Sequence, residues 1–257
     1  MLIVVDIGNS AIHIGYFTEA GLHVQKVNTY PLRDVADYLR RMDEFIRKAG
    51  IEKKPGDGGI ISSVVLSHTL PFCEVLRTLV QDDAAVGVVD HTMNTGLNLK
   101  VAEPDKLGAD RIADAVAAAE LYGAPVAVAD FGTATTITAV DRDHNLIGGT
   151  IMPGVGLMNE MLGRGTSLLQ EIPLGPPDAA LGTDTESCIR SGLYFGTAGG
   201  VERILSEIER ETGSAFRLVL TGGHAGAMTG LIARPHTLNI DLTLEGLRIL
   251  HGKNRSA

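Results

Sequence analysis

The sequence predicts an α/β fold of two related halves, each with a mixed sheet flanked by helices. The stretch LIVVDIGNSAIHIGYF near the start and the stretch PVAVADFGTATTITAV in the middle share one design: an apolar strand, an aspartate, a glycine turn with small polar residues, and a second strand. Segments with strand and helix periodicity alternate along the rest of the chain. The 31 glycines cluster after apolar runs, where a backbone turns tightly or approaches a ligand.

The first half is expected to contain a three-stranded meander followed by alternating helices and strands. Apolar residues at helical spacing from Val35 to Ile46 predict a helix that ends at Gly50. β-branched and apolar runs predict strands, and the segment GADRIADAVAAAELYG predicts a helix that ends at Gly123. The predicted strands lie at 2–6, 12–17, 21–29, 58–65 and 85–90, and a further helix lies at 69–81.

The second half is expected to repeat this plan after a boundary between residues 117 and 118. Strands at 125–130, 135–141 and 146–151 mirror the first three strands, and FRLVLTGG is a late strand that ends in a glycine pair. Helices are predicted at 154–163, 184–199, 200–212 and 241–252. The domains are therefore expected at 1–117 and 118–257.

Composition restricts the class of function. With 257 residues and 44% apolar content the chain can bury a sizeable core, and its net charge of −9 gives nucleic acid no electrostatic support. No run of 18 apolar residues indicates a membrane span, and the N-terminus lacks a charged leader. Cys73 and Cys188 show no metal-ligand spacing, which favours free thiols. A cytoplasmic protein with no nucleic-acid or membrane partner is expected.

The two aspartate–glycine turns suit a phosphate site. Glycine lets a backbone approach the ligand, the hydroxyls of Ser10, Thr133 and Thr135 can donate to phosphate oxygens, and each carboxylate can position a cation. LTGG at 220–223 adds a third turn against which a nucleoside can lie. One such turn alone could be a plain hairpin with aspartate as turn former. The presence of two such turns together with LTGG favours a site in which the two turns face each other and hold a triphosphate in an interdomain cleft.

Asp110 and Arg111 lie at a predicted helix start, where unpaired backbone N–H groups favour anions. Asp110 could accept the proton of a substrate hydroxyl in phosphoryl transfer. Considered alone, it fits an ordinary acid of a helix N-terminus better. Arg111 could be a surface ion-pair residue or the fork that binds a substrate carboxylate. The residues alone leave both alternatives open.

The order of DIGNS, GADR, DFGTATT, GGTIMPG, TESCIRSGLYFG and LTGG resembles that of the type III pantothenate kinases, of the acetate kinase/sugar kinase/Hsp70/actin superfamily. The resemblance covers essentially the whole chain, and LGADR followed by DFGTATT is its most specific part. It implies two duplicated ribonuclease H-like (actin-like ATPase) domains. It also implies an ATP-dependent kinase that converts pantothenate to 4'-phosphopantothenate, the first step of coenzyme A biosynthesis.

The resemblance further implies a role for individual residues. Asp110 would be the general base, Asp6 would lie near Mg²⁺, and Asp130 would hold a monovalent cation, K⁺ or NH₄⁺. Thr185 would bind pantothenate from across a homodimer interface. The remaining pocket residues would be Gly108, Ala109 and Arg111 around pantothenate, and Asp6, Ile7, Gly8, Asn9, Ser10, Ala11, Ile12, His13 and Thr133 around ATP.

Several positions depart from the family pattern. Val101 stands near the place of a tyrosine that covers pantothenate, Ala11 replaces an asparagine, and Asn159 replaces a serine. Ala113 and Asp114 replace a valine–asparagine pair. The phosphate turns are thus intact while the acceptor pocket has changed. Two alternatives follow: a diverged kinase acting on another small hydroxylated acceptor, and a non-catalytic nucleotide-binding regulator, against which the retained Asp110 argues.

Overall fold

The computed structural model describes residues 1–54, 57–81 and 86–255. The strands are β1 (Leu2–Ile7), β2 (Ala11–Thr18), β3 (Gly21–Asn28), β4 (Gly58–Ser63), β5 (Val86–Val88), β6 (Asn98–Leu99), β7 (Val126–Phe131), β8 (Ala134–Val140), β9 (Asn145–Pro153), β10 (Arg217–Thr221) and β11 (His236–Leu238). The helices are α1 (Val35–Lys48), α2 (Leu66–Val80), α3 (Ala109–Tyr122), α4 (Val155–Gly165), α5 (Thr185–Thr212), α6 (Ala225–Met228) and α7 (Leu242–Asn254). No helix in the described part of the chain has the length and apolar content needed to cross a membrane.

Contacts divide the chain into two compact units. The first comprises Met1–Ala117 and Leu242–Ala257, and the second comprises Ala118–Asp241. The predicted boundary at 117 and 118 coincides with this division, but the predicted second domain includes residues 242–257. The two divisions differ there because α7 buries Leu244, Leu247 and Leu250 in a core of the first unit.

The two units repeat one strand order. In the first unit it is β3-β2-β1-β4-β5, and in the second the corresponding order is β9-β8-β7-β10-β11. In both units the first three strands pair antiparallel, whereas the later strands pair parallel. The predicted fold of two related halves with mixed sheets flanked by helices is confirmed.

The first sheet has a different core on each face. Ile3, Val5 and Ile7 of β1 pack on one face against α1 and α2. Val4 of β1 and Ile60 of β4 pack on the other face with residues of α3 and α7. Since side chains alternate along a strand, Asp6 belongs to the face that α3 and α7 cover.

One helix prediction is wrong. Separate helices are predicted at 184–199 and 200–212, but α5 runs unbroken through Gly199 and Gly200, although glycine has low helix propensity. Ala198, Val201 and Leu205 on the inner face of this helix are buried in the core of the second unit. Their burial outweighs the weak local propensity.

Candidate active site

The first predicted phosphate turn joins β1 to β2 at the carboxyl end of β1. The amide of Gly8 donates to the carbonyl of Ala11 over 3.0 Å and closes the turn, which leaves Asn9 and Ser10 exposed. Ile7 and Ile12, also predicted to bind ATP, are 0% exposed. The side chains of these two isoleucines are therefore not available to a nucleotide in this structure.

A buried pair behind this turn was not apparent from the sequence. The Thr29 hydroxyl donates to the carbonyl of Gly8 over 2.7 Å, and the Thr29 amide donates to that of Ser10 over 3.3 Å. Nε2 of His68 donates to the carbonyl of Thr29 over 2.8 Å, which leaves Nδ1 to accept from the Ser67 hydroxyl over 3.1 Å. Thr29 and His68 thus fix the turn from behind. Their separation of 39 residues hides the pairing from any local sequence pattern.

A row of polar side chains crosses the first sheet at the level of Asp6. Asp6 pairs with His13 of β2 and with Ser62 of β4, and His13 pairs with Lys26 of β3. Residues in register on neighbouring strands project from the same face. Burial, followed by the charge of Lys26, lowers the pKa of His13 below its usual 6.5, so the ring is neutral at pH 7.

Asp110 lies in the first turn of α3. The carbonyl of Gly108 accepts from the amide of Ile112 over 3.1 Å, and Oδ1 of Asp110 accepts from the amide of Arg111 over 2.7 Å. Burial raises the pKa of Asp110 above its usual 3.8, although the amide and the charge of Arg111 oppose the shift. A higher pKa makes the carboxylate a stronger proton acceptor.

The start of α3 lies at the same end of the first sheet as Asp6. A side chain at Gly108 would overlap Oδ1 of Asp110 and would approach Cγ1 of Val64, just beyond β4, to 3.8 Å. Ala109 packs in the core that contains Val4 of β1. The first unit therefore brings two predicted site carboxylates, Asp6 and Asp110, to one face and one end of its sheet.

Arg111 is partly buried beside two carboxylates. Burial lowers the pKa of its guanidinium, and the charges of Asp110 and Asp114 oppose that shift. Asp114 is 3% exposed and accepts a hydrogen bond of 2.7 Å from the Thr243 hydroxyl of α7. The departure at position 114 from the family pattern therefore also serves the packing of α7 on α3.

In the second unit, Asp130 lies at the end of β7 in register with Thr136 of β8 and Thr221 of β10. Gly222 follows β10 with φ of 93°, and a Cβ there would overlap Oδ1 of Asp130 and lie 2.7 Å from the backbone of Phe131. The LTGG turn therefore packs directly against the Asp130 carboxylate, a close approach that glycine permits.

The segment GGTIMPG supports the second predicted phosphate turn. The amide of Gly154, which precedes α4, donates to the carbonyl of Thr133 over 3.0 Å. Thr133 is partly buried, whereas Thr135 is 1% exposed, which leaves its hydroxyl inaccessible to a phosphate in this structure. The DFGTATT and GGTIMPG motifs are neighbours in space because the turn that contains Thr133 packs against the start of α4.

Thr185 is the first residue of α5. The Asp184 side chain caps the helix by accepting from the amide of Ser187 over 2.9 Å, and Oγ of Ser187 accepts from the amide of Asp184 over 3.2 Å. The hydrogen bond from the Ser187 amide lowers the pKa of the Asp184 carboxyl below its usual 3.8. Thr185 is exposed at the start of a helix face that continues with exposed small residues and Phe195. These are Cys188, Gly192, Gly196 and Gly199.

Comparison with known proteins identifies the family. The sequence profile of the type III pantothenate kinases matches residues 2–207. A type III pantothenate kinase from Roseiflexus sp. (strain RS-1) is 37% identical over 257 residues, which cover 100% of each chain. The chain belongs to the type III pantothenate kinase family. The predicted family is confirmed, and with it a kinase of the first step of coenzyme A biosynthesis.

Two solved structures share the fold of this chain. A candidate Baf-family transcriptional activator from Campylobacter jejuni has a TM-score of 0.59 at 18% identity, over 99% of this chain and 100% of that chain. A candidate 2-dehydro-3-deoxygalactonokinase from Sinorhizobium meliloti has a TM-score of 0.58 at 14% identity, over 98% and 97%. At these identities they establish the fold alone, which is the predicted actin-like ATPase fold.

A kinase of this family uses ATP with a divalent metal, and the oxygen groups around Asp6 fit such a metal. Within residues 1–54, 57–81 and 86–255, no three His, Cys, Asp or Glu side chains are grouped to hold one. Magnesium is commonly held by one or two carboxylates together with substrate phosphates and waters. The single carboxylate of Asp6, just before the first predicted phosphate turn, matches that donor set.

Proposed function

We propose that this chain transfers the γ-phosphoryl group of ATP to the 4'-hydroxyl of pantothenate, with Asp110 as general base. The observation that carries the proposal is the environment of Asp110. Its carboxylate has a raised pKa and lies on the same face and at the same end of the first sheet as Asp6. A proton acceptor and a phosphate turn held on one rigid sheet are what phosphoryl transfer to an alcohol requires.

Asp110 accepts the proton of the pantothenate hydroxyl as the hydroxyl oxygen attacks the γ-phosphorus. The bond from that phosphorus to the oxygen bridging to the β-phosphate breaks, and ADP leaves with the bond's electron pair. Protonated Asp110 then returns its proton to solvent after release of phosphopantothenate. The Arg111 guanidinium, one residue further along α3, binds the pantothenate carboxylate through its planar pair of donors.

The ATP phosphates bind to the turn from Asp6 to His13, where amides and the Ser10 hydroxyl donate to them, and Thr133 also contacts ATP. Asp6 would hold Mg²⁺ through its carboxylate, and the metal would supply positive charge that offsets the negative charge of the phosphates. The buried Thr29 behind the turn supports this role, because it fixes the carbonyls of Gly8 and Ser10.

Asp130 holds a monovalent cation, K⁺ or NH₄⁺. The supporting observation is its surroundings, since the backbone of the LTGG turn is packed against this carboxylate. Carboxylate and carbonyl oxygens are the ligands that hard cations prefer. An Asp130→Ala variant is expected to lose both activity and its dependence on KCl, whereas retained activation by KCl would contradict the assignment.

The functional unit is a homodimer in which Thr185 contacts pantothenate bound to the partner. The support is the exposed face of α5, where glycines at positions 192, 196 and 199 let another backbone approach closely. Phe195, which is 38% exposed, adds apolar area to this face. Thr185 lies on the same helix and would therefore reach the partner.

The test of the reaction is product analysis with a panel of acceptors. Purified protein with Mg-ATP and KCl is incubated with pantothenate or with other small hydroxylated acids, and the phosphorylated product is identified by mass. Phosphopantothenate as the preferred product supports the proposal. Preference for another acid would indicate the diverged-kinase alternative, and nucleotide binding without any product would indicate a regulator.

A further inference from the structure

Strand β4 ends in two serines that face opposite sides of the first sheet. Ser63 projects toward α2, where its hydroxyl accepts from the amide of Val65 over 3.2 Å and from the Thr69 hydroxyl over 2.9 Å. Ser62 is 0% exposed, and its hydroxyl has no hydrogen-bond partner among the described residues. Adjacent, chemically identical side chains thus have opposite hydrogen-bonding states.

A buried hydroxyl without a hydrogen-bond partner destabilises the folded protein, because it has lost its hydrogen bonds to water and gained none within the protein. Ser62 follows Ile60 and Ile61 in an apolar strand, where alanine would fill similar space without that penalty. Residues that break a local rule of stability commonly do so for function. Ser62 therefore lacks, in this structure, the hydrogen-bond partner that would offset its burial.

The register of β4 identifies the partner. Ser62 pairs with Asp6 of the parallel strand β1, so the two side chains project side by side from one face. Ile60, two residues earlier on that face, packs in the core with α3. Ser62 is inaccessible to solvent, whereas Asp6 beside it is partly exposed and can contact a ligand.

We infer that Ser62 is a positioning residue for Asp6, whose carboxylate accepts a hydrogen bond from the Ser62 hydroxyl when it holds the magnesium of Mg-ATP. This inference rests on the proposed role of Asp6. The bond forms by rotation of the two side chains and leaves the backbone in place. It fixes which carboxylate oxygen faces the metal, as neighbours of metal-binding carboxylates commonly do.

The test is calorimetry of ADP binding with and without Mg²⁺ in Ser62→Ala and Ser63→Ala. In Ser62→Ala the gain in affinity from Mg²⁺ is expected to fall about tenfold, with metal-free binding unchanged, because loss of such a neighbour commonly weakens metal affinity by that order. The melting temperature of the unliganded variant is expected to stay equal or rise. Ser63→Ala, which loses hydrogen bonds to α2, should melt lower and keep the full effect of Mg²⁺.

Asp6→Asn and the double variant Asp6→Asn/Ser62→Ala complete the design. If Ser62 acts through Asp6, removing its hydroxyl has no further effect once Asp6 is replaced, so the two effects are not additive. Additive effects, or an unchanged Mg²⁺ response in Ser62→Ala beside a weakened one in Asp6→Asn, would overturn the inference alone. An unchanged response in Asp6→Asn would instead overturn the proposed role of Asp6.

Discussion

Asp110 has the environment expected of a residue that takes up a proton. Burial destabilises its charged form, while the amide of Arg111 and the neighbouring guanidinium stabilise it. Burial prevails, and the pKa rises above 3.8. A base whose pKa is closer to the working pH binds a transferred proton more readily.

This shift predicts how activity depends on pH. Since protonated Asp110 cannot accept a proton, kcat/KM for pantothenate should fall as the pH drops through its raised pKa. The fall should therefore begin at a higher pH than an ordinary aspartate, with its pKa of 3.8, would give. Initial rates between pH 4 and 8 measure this fall in activity, which is the acidic limb of the pH profile. Circular dichroism over the same range verifies that the protein stays folded.

A His13→Gln variant separates the two titrating groups of this region. The pKa of His13 is lowered, so its protonation could also reduce activity in acid. Retention of the acidic limb in His13→Gln would assign the limb to Asp110. Its disappearance in that variant would contradict the assignment.

Thr29 predicts a selective effect on the nucleotide. Thr29→Val keeps the shape but removes the hydroxyl that fixes the carbonyl of Gly8. Loss of one such hydrogen bond is worth about 1 kcal/mol, so KM for ATP should rise about fivefold while KM for pantothenate stays unchanged. Thr29→Ser retains the donor and should resemble the parent. Equal increases in both KM values for Thr29→Val would show a general loss of structure instead.

At the scale of elements, α5 tests how packing overrides local propensity. A Cβ at Gly200 would lie 3.8 Å from Sδ of Met152, an ordinary contact, so the helix has room for alanine there. Gly200→Ala should stabilise the protein by about 0.5–1 kcal/mol, since glycine is unfavourable in a helix interior. Urea denaturation measures the change.

Gly213 at the end of α5 is the matched control. Its φ of 65° lies in the left-handed region that alanine disfavours, so Gly213→Ala should destabilise the protein. Destabilisation by Gly200→Ala as well would contradict a continuous helix at that point. The pair thus distinguishes a helix interior from a helix end on one element.

The elements that the sequence predicts well are those whose signals are local. β1 and β2 are apparent because apolar residues flank a short glycine turn, and α1 because Val35, Leu39, Met42 and Ile46 follow helical spacing. The three-residue strand β11 and the four-residue helix α6 were not predicted, because such short elements carry no periodicity. Their formation depends on neighbours distant in sequence.

The same distinction applies to the candidate site. Asp6, Asp110 and Asp130 are predictable because each belongs to a motif with its own turn or helix start. The contacts that support them are not, since Thr29 meets His68 and Ser62 meets Asp6 only through folding. No pattern in the sequence ISSVV distinguishes a satisfied serine from an unsatisfied one.

At the scale of the whole molecule, the two halves of the chain repeat one strand order. Asp6 and Asp130 occupy equivalent ends of β1 and β7, and each has a hydroxyl residue in register on the next parallel strand, Ser62 and Thr221. Each unit thus supplies one carboxylate at a glycine turn. The second half differs chiefly in α5, the long helix that carries Thr185.

The proposed homodimer predicts complementation between two impaired variants. If Thr185 serves the partner's site, a mixed dimer of Asp110→Asn and Thr185→Ala contains one site with both wild-type residues. Unfolding and refolding an equal mixture should then restore about a quarter of the parent activity, because half of the dimers are mixed and each has one intact site. Activity no higher than the mean of the separate variants would show that Thr185 acts within its own chain.

The most direct test of the central claim compares ADP release by the parent and by Asp110→Asn, with Mg-ATP and KCl, in the presence and absence of pantothenate. Asparagine keeps the size of the side chain but cannot take up the proton. We expect pantothenate-dependent release by the parent to fall at least about a hundredfold in the variant, with calorimetric nucleotide affinity unchanged. A near-normal rate in Asp110→Asn, or release by the parent that ignores pantothenate, would contradict the account.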